Sequence, residues 1–143
     1  MLLPDVNVLV YAFRPDSADH EQYRAWLDGT VNGDSSYACS DLVLSGFLRV
    51  VTHPWVYRQP STLSEAVTFA RMVRDQLTCR PVCPGPLHWS IFTRLCQQAG
   101  AKGNLVPDAF LAALAIESGC AWVTTDRDYA RFPGLRWHHP LGE

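Results

Sequence analysis

Leu2-Leu3-Pro4-Asp5-Val6-Asn7-Val8-Leu9-Val10-Tyr11-Ala12-Phe13 is the stretch that decides the fold. It is almost wholly apolar, with one carboxylate and one amide in its middle. A continuous apolar run near the N-terminus predicts a strand buried on both faces, the central strand of a parallel sheet. Asp5 is the odd residue. A buried charge is costly unless it is paired or meets a cation. In open α/β sheets the carboxyl ends of the strands line the ligand crevice. Asp5 is therefore either the cap of a following helix or the first ligand of a cation site. Asn7 is placed to cap a helix or to orient Asp5 by a hydrogen bond.

Outward from this run, turn and capping signals divide the chain into alternating elements. Asp16 or Ser17 is expected to cap a helix reaching from about residue 18 to 27. A short strand is expected at Tyr37-Ala38-Cys39, then a helix started by Ser40 or Asp41 and ended by His53-Pro54, since the residue before proline avoids helical geometry. Ser61 is expected to cap a third helix running to about residue 77. A brief strand follows near 80–83, kept short by its prolines. The next helix, near 87–99, stops at Gly100. Asp108 begins another after a loop at 103–107, closed by Gly119. Residues 121–125 predict a buried strand, followed by a short helical turn and a last strand near 135–137. This alternation predicts an α/β fold, an α/β/α sandwich around a mostly parallel sheet, with 1–143 as one domain.

With 143 residues, 48% of them hydrophobic, the chain suffices for one real core. No run is long enough for a membrane span, and the N-terminus lacks a signal peptide's basic start and cleavage site. A cytoplasmic location is expected. Five cysteines suggest no disulfide framework, and the one close pair, Cys79 and Cys83, lacks the second pair that a zinc site needs. The net charge of −2 argues against a generally nucleic-acid-coating protein. Lys102 is the only lysine among twelve basic residues; arginine suits bidentate phosphate contacts, but for most of these residues the expected origin is a GC-rich genome that encodes arginine by default.

Three acidic residues share one kind of place. Asp5 lies in the first strand region, Asp108 follows Pro107 at a helix start, and Asp126 follows a buried strand, with Asp128 two residues later. Singly, Asp108 and Asp126 have structural explanations as helix-start residues. Together they are harder to dismiss. Carboxylates in one crevice repel unless a cation compensates, and oxygen-only ligands suit Mg²⁺ or Mn²⁺. The reaction such a site serves is phosphodiester hydrolysis by a metal-activated water.

Asp5-Val6-Asn7-Val8-Leu9, then Pro107-Asp108-Ala109-Phe110-Leu111-Ala112-Ala113-Leu114-Ala115, then Thr124-Thr125-Asp126-Arg127-Asp128-Tyr129 with Phe132-Pro133-Gly134-Leu135, resembles a PIN-domain ribonuclease of the VapC toxin type. Leu44-Ser45-Gly46-Phe47-Leu48-Arg49-Val50 is similar to a branch abundant in mycobacteria. The resemblance spans nearly the whole chain. It implies a Mg²⁺- or Mn²⁺-dependent endoribonuclease, toxic until a VapB-type antitoxin binds it. It also implies that Asp5, Asp108 and Asp126 hold the metal and its water, with Asp128, at a more variable acidic position, as a further metal ligand.

One departure stands out. Many members carry a glutamate on the second helix where Ser45-Gly46-Phe47 stands here. Asp41 is a candidate for the missing carboxylate, and equally an N-cap. Arg49 is expected to pair with a buried acid of the site, with RNA phosphate as its other partner. His53, His138 and His139 are candidate general bases, which metal chemistry does not require. Trp55, Val56 and Tyr57 form an apolar cluster that is either core or a groove for an antitoxin helix or a homodimer partner. The alternative function is a catalytically weakened PIN domain acting by RNA or protein binding. A flavodoxin-like or phosphatase-like protein is disfavoured, because no glycine-rich phosphate loop follows the first strand.

Overall fold

The apolar N-terminal run does not stay extended. The computed structural model describes residues 1–142. In it, Leu2–Pro4 form strand β1 and Val6–Phe13 form helix α1. The stretch predicted as one strand is a strand followed by a helix. Asp5, in extended geometry, accepts the Val6 N–H and turns the chain. Helix α1 is apolar nearly all round because Val8, Leu9, Val10 and Ala12 are all buried. A short run of this kind carries no period to separate strand from helix.

Helix α2 (His20–Val31) starts later than predicted, since Asp19 takes a left-handed φ of 58° and makes no side-chain cap. Strand β2 (Tyr37–Cys39) leads into α3 (Asp41–Val51), capped by the Ser40 hydroxyl. Helix α4 (Leu63–Arg74) is capped by Thr62 rather than Ser61, whose hydroxyl instead accepts a hydrogen bond from Arg14. Strand β3 (Cys79–Pro81) and helix α5 (His88–Ala99) follow. Helix α6 (Leu105–Ser118) begins three residues before Asp108. Pro107 is tolerated there because first-turn N–H groups have no partner in the helix. Strand β4 (Ala121–Val123), a short 3₁₀ helix (Arg127–Arg131) and strand β5 (Trp137–His138) complete the order.

Every strand pairing is parallel. β1 pairs with β4 and β4 with β5, while β2 pairs with β3 and lies beside β1. This is the expected α/β architecture around a mostly parallel sheet. The core is filled by Leu3, Phe47, Leu114 and Trp122, all fully buried. Ala109, Ala112, Ala113 and Ala115 are fully buried too, so α6 packs its backbone close to its neighbours. Cys79 does not meet Cys83. Its thiol touches that of Cys39 across the β2–β3 pair at 3.0 Å, and Cys83 is exposed. Among the described residues no helix is long and apolar enough to cross a membrane.

Candidate active site

The register of β1 against β4 builds the site. Pro4 lies opposite Val123, and the Asp5 N–H donates to the Val123 carbonyl at 2.9 Å. Asp5 and Thr124 therefore leave the sheet side by side, at the carboxyl ends of two parallel strands. The Thr124 hydroxyl donates to Asp5 Oδ2 at 2.7 Å and accepts from the Asp126 N–H at 3.1 Å. Asp5 Oδ1 accepts from the Val6 N–H at 2.6 Å. Asp126 Oδ1 caps the 3₁₀ helix by accepting from the Asp128 N–H at 2.9 Å. That helix brings the Tyr129 hydroxyl to Asp108, where it donates to Oδ1 at 3.3 Å. Asp5, Asp108 and Asp126 thus share the wall of one crevice of about 550 Å³, together with Asn7, Arg49 and Tyr57.

The acids disturb one another. Burial pushes the Asp5 carboxyl from 3.8 up to about 6, against the lowering effect of its bonds to Thr124 and Val6. The charges of Asp108 and Asp126 add to the rise. Asp108 is also raised, first by burial and then by Asp126. Burial, with the acids around it, likewise pushes the Tyr129 phenol up, so it stays a hydrogen-bond donor. Carboxyls held above their ordinary range gain from a neighbouring cation.

The donor set fits a hard divalent ion. It is all oxygen, and the buried Asn7 Oδ1 beside Asp5 has no hydrogen-bond partner among the described residues. Among the described residues no three His, Cys, Asp or Glu side chains are gathered to chelate an ion by themselves. Mg²⁺ accepts that arrangement, since it is commonly held by one or two carboxylates and keeps several waters.

The remaining expectations separate. Asp5 is both things at once, helix cap and crevice wall. Asp128 is exposed and outside the crevice lining, though near enough for its charge to raise Asp108. Asp41 does not supply a missing carboxylate to the crevice. It is exposed and paired with Arg74 at 2.8 Å, which holds its carboxyl below the usual range. At Gly46 a Cβ would stand 3.0 Å from Val6 Cγ2, so the glycine lets α3 approach α1. Arg49 does not pair with a buried acid. It is exposed on the crevice wall and enters no ion pair among the described residues. None of His53, His138 and His139 lines the crevice. The apolar cluster divides: Val56 and Tyr57 line the crevice, while Trp55 is 91% exposed. Thr124 and Tyr129 escaped the sequence analysis as functional residues. Their only signal is a hydroxyl two residues before Asp126 and another three after it.

Residues 2–135 match the PIN domain. Ribonuclease VapC43 of Mycobacterium tuberculosis is 41% identical over 141 residues, covering 99% of this chain and 96% of that protein. Ribonuclease VapC25 of the same organism is 40% identical over 140 residues, covering 98% of this chain and 99% of that protein. The solved structure of VapBC2 from Rickettsia felis, bound to a DNA fragment from its promoter, shares the fold. Its TM-score is 0.69 at 18% identity, over 96% of this chain and 97% of that one. The chain belongs to the PIN-domain family. Within it, these curated relatives are VapC ribonucleases along nearly their whole length.

Proposed function

We propose that this PIN domain is the toxin of a toxin–antitoxin pair, a Mg²⁺- or Mn²⁺-dependent endoribonuclease hydrolysing RNA phosphodiester bonds in the cytoplasm. The observation that carries this is the meeting of Asp5, Asp108 and Asp126, from three separate segments, on one crevice wall. When bound, the ion supplies polarisation of a phosphoryl oxygen and a water of lowered pKa. The chain's own residues hold and orient. Asp5, Asp108 and Asp126 would hold the ion and its water between them, with one or two of the carboxylates binding it directly, and Asp128 would be an outer acid that adds negative charge. Thr124 locks Asp5 to the loop of Asp126, and Tyr129 fixes the rotamer of Asp108.

An unguarded ribonuclease harms its host, so a VapB-type antitoxin is the expected partner. An arginine from that partner would satisfy the carboxylates in place of the ion. The chain is expected to work as a homodimer. The alternative, a weakened domain acting by binding, rests on the carboxylate missing at Gly46, whose glycine is also explained by close packing against Val6.

Incubating the purified protein with total RNA, with and without Mg²⁺ or Mn²⁺, and sequencing the new ends tests the proposal. Discrete metal-dependent cuts that vanish in Asp108→Asn are expected. RNA left intact with both ions, or cut equally by Asp108→Asn, would refute it.

A further inference from the structure

Resting on the ribonuclease function above, we propose that Trp55 and Arg49 position the RNA strand at the crevice: Trp55 stacks on an unpaired base, and Arg49 takes a neighbouring phosphate. Both are positioning residues. Neither belongs to the carboxylate set.

Trp55 is 91% exposed and Val56 beside it 55%, so the loop presents an adjoining apolar pair to solvent, and contiguous apolar surface marks a contact site. Its chain neighbours Val56 and Tyr57 line the crevice, so the loop that carries Trp55 borders it. That loop, residues 52–62, is tied at several points. The Trp55 N–H donates to His53 Nδ1 at 3.1 Å, and the N–H groups of Val56 and Tyr57 donate to the His53 carbonyl. The buried Arg14 guanidinium lies over the Tyr57 ring, 3.8 Å from its centroid. It also donates to the Gln59 carbonyl and the Ser61 hydroxyl. An exposed aromatic on a fastened loop is a surface prepared in advance, which lowers the ordering cost of binding.

The charges around it favour a nucleic acid strand. Arg49 on the crevice wall and Arg58 on the same loop are exposed and enter no ion pair among the described residues. Guanidinium groups bind phosphate bidentately, and aromatic rings stack on bases of any identity. The acids of the crevice repel a phosphate backbone. The Arg49 guanidinium on its wall offsets that repulsion locally, whereas an apolar protein segment covering Trp55 would have no use for it.

The test is fluorescence anisotropy of the full chain in EDTA, so that no cleavage intervenes, with two probes. One is a short labelled single-stranded RNA. The other is the same ribose-phosphate chain without bases. Trp55→Ala is expected to weaken binding of the first probe by roughly 5- to 150-fold, the range set by loss of one stacked base. It should leave the second unchanged, with Trp55→Phe recovering most of the loss. Arg49→Ala is expected to weaken both probes and to reduce the salt slope by about 0.7. Both side chains are exposed, so neither variant threatens the fold. Three results overturn the proposal: no binding by the wild-type chain, equal effects of Trp55→Ala on both probes, or unchanged RNA affinity with a lost oligomer. The last would assign Trp55 to a protein interface. Because the assay contains no metal, a failure to cleave RNA leaves this result readable, and intact cleavage with Trp55-independent binding refutes this proposal alone.

Discussion

The Thr124 hydroxyl donates to Asp5 Oδ2 at 2.7 Å, joining residues 119 positions apart in the chain. The same oxygen accepts the Asp126 N–H, so one buried hydroxyl sets the spacing of two acids. Removing it should damage stability and activity together. Thr124→Val leaves the Asp126 N–H and one Asp5 oxygen without a partner, at about 1–3 kcal/mol for a buried unsatisfied group. Urea unfolding should show that loss, and RNA cleavage should fall. Thr124→Ser should restore both.

Asp5 makes the fold pH-sensitive in a defined direction. Its folded-state pKa is about 6, against 3.8 for the ordinary carboxyl. Because the folded pKa is raised, the stabilising contribution is complete below 3.8 and is lost as pH rises through about 6. The loss is on the order of 3 kcal/mol at 1.36 kcal/mol per unit. In EDTA, the stability of Asp5→Asn relative to wild type should therefore rise across that window and level off above it. Urea midpoints measured over this range check it. A difference independent of pH would show that Asp5 ionises normally.

Asp108 repels Asp126, so its neutralisation should not harm the metal-free fold. Asp108→Asn is expected to keep or slightly raise its melting temperature while losing RNA cleavage. Tyr129→Phe removes only the hydroxyl that orients Asp108. It should cost about 0.5–1.5 kcal/mol or less and lower cleavage without abolishing it.

Gly46 is a packing residue. Val6 is β-branched and stiff in a helix, so it yields poorly to a Cβ at 3.0 Å. Overpacking of this kind costs about 1–3 kcal/mol, against about 0.5–1 kcal/mol gained by replacing a helical glycine with alanine. Gly46→Ala should be destabilised by about 1 kcal/mol on that balance. Adding Val6→Ala should relieve the clash, which a double-mutant cycle of unfolding energies would record as coupling.

Much of this was legible in the sequence, for reasons that particular residues illustrate. The strand at Tyr37–Cys39 and the helix closed by Gly119 carry local signals that the structure repeats. Helix α1 does not, because eight residues that are apolar but for Asn7 have no readable period. Ser61 has the chemistry of a cap but is taken by Arg14, a residue 47 positions away. The three acids could be picked out because carboxylates beside apolar segments demand an explanation. Thr124 and Tyr129 demand none, and their roles depend on partners fixed only by the β1–β4 register and the 3₁₀ turn. Arg49 and Asp41 show the opposite failure: charge alone fixes neither whether a partner is met, as Arg49 shows, nor which one, as Asp41 shows by pairing with Arg74.

The proposed activity requires a divalent ion held between Asp5 and Asp108. Crystals grown with Mn²⁺ and measured at a wavelength where manganese scatters anomalously test this directly. An anomalous peak is predicted between the two carboxylates, about 2.1 Å from an oxygen of each. A well-ordered crevice with no peak, or with the two carboxylates more than about 10 Å apart around an ion bound elsewhere, would contradict it.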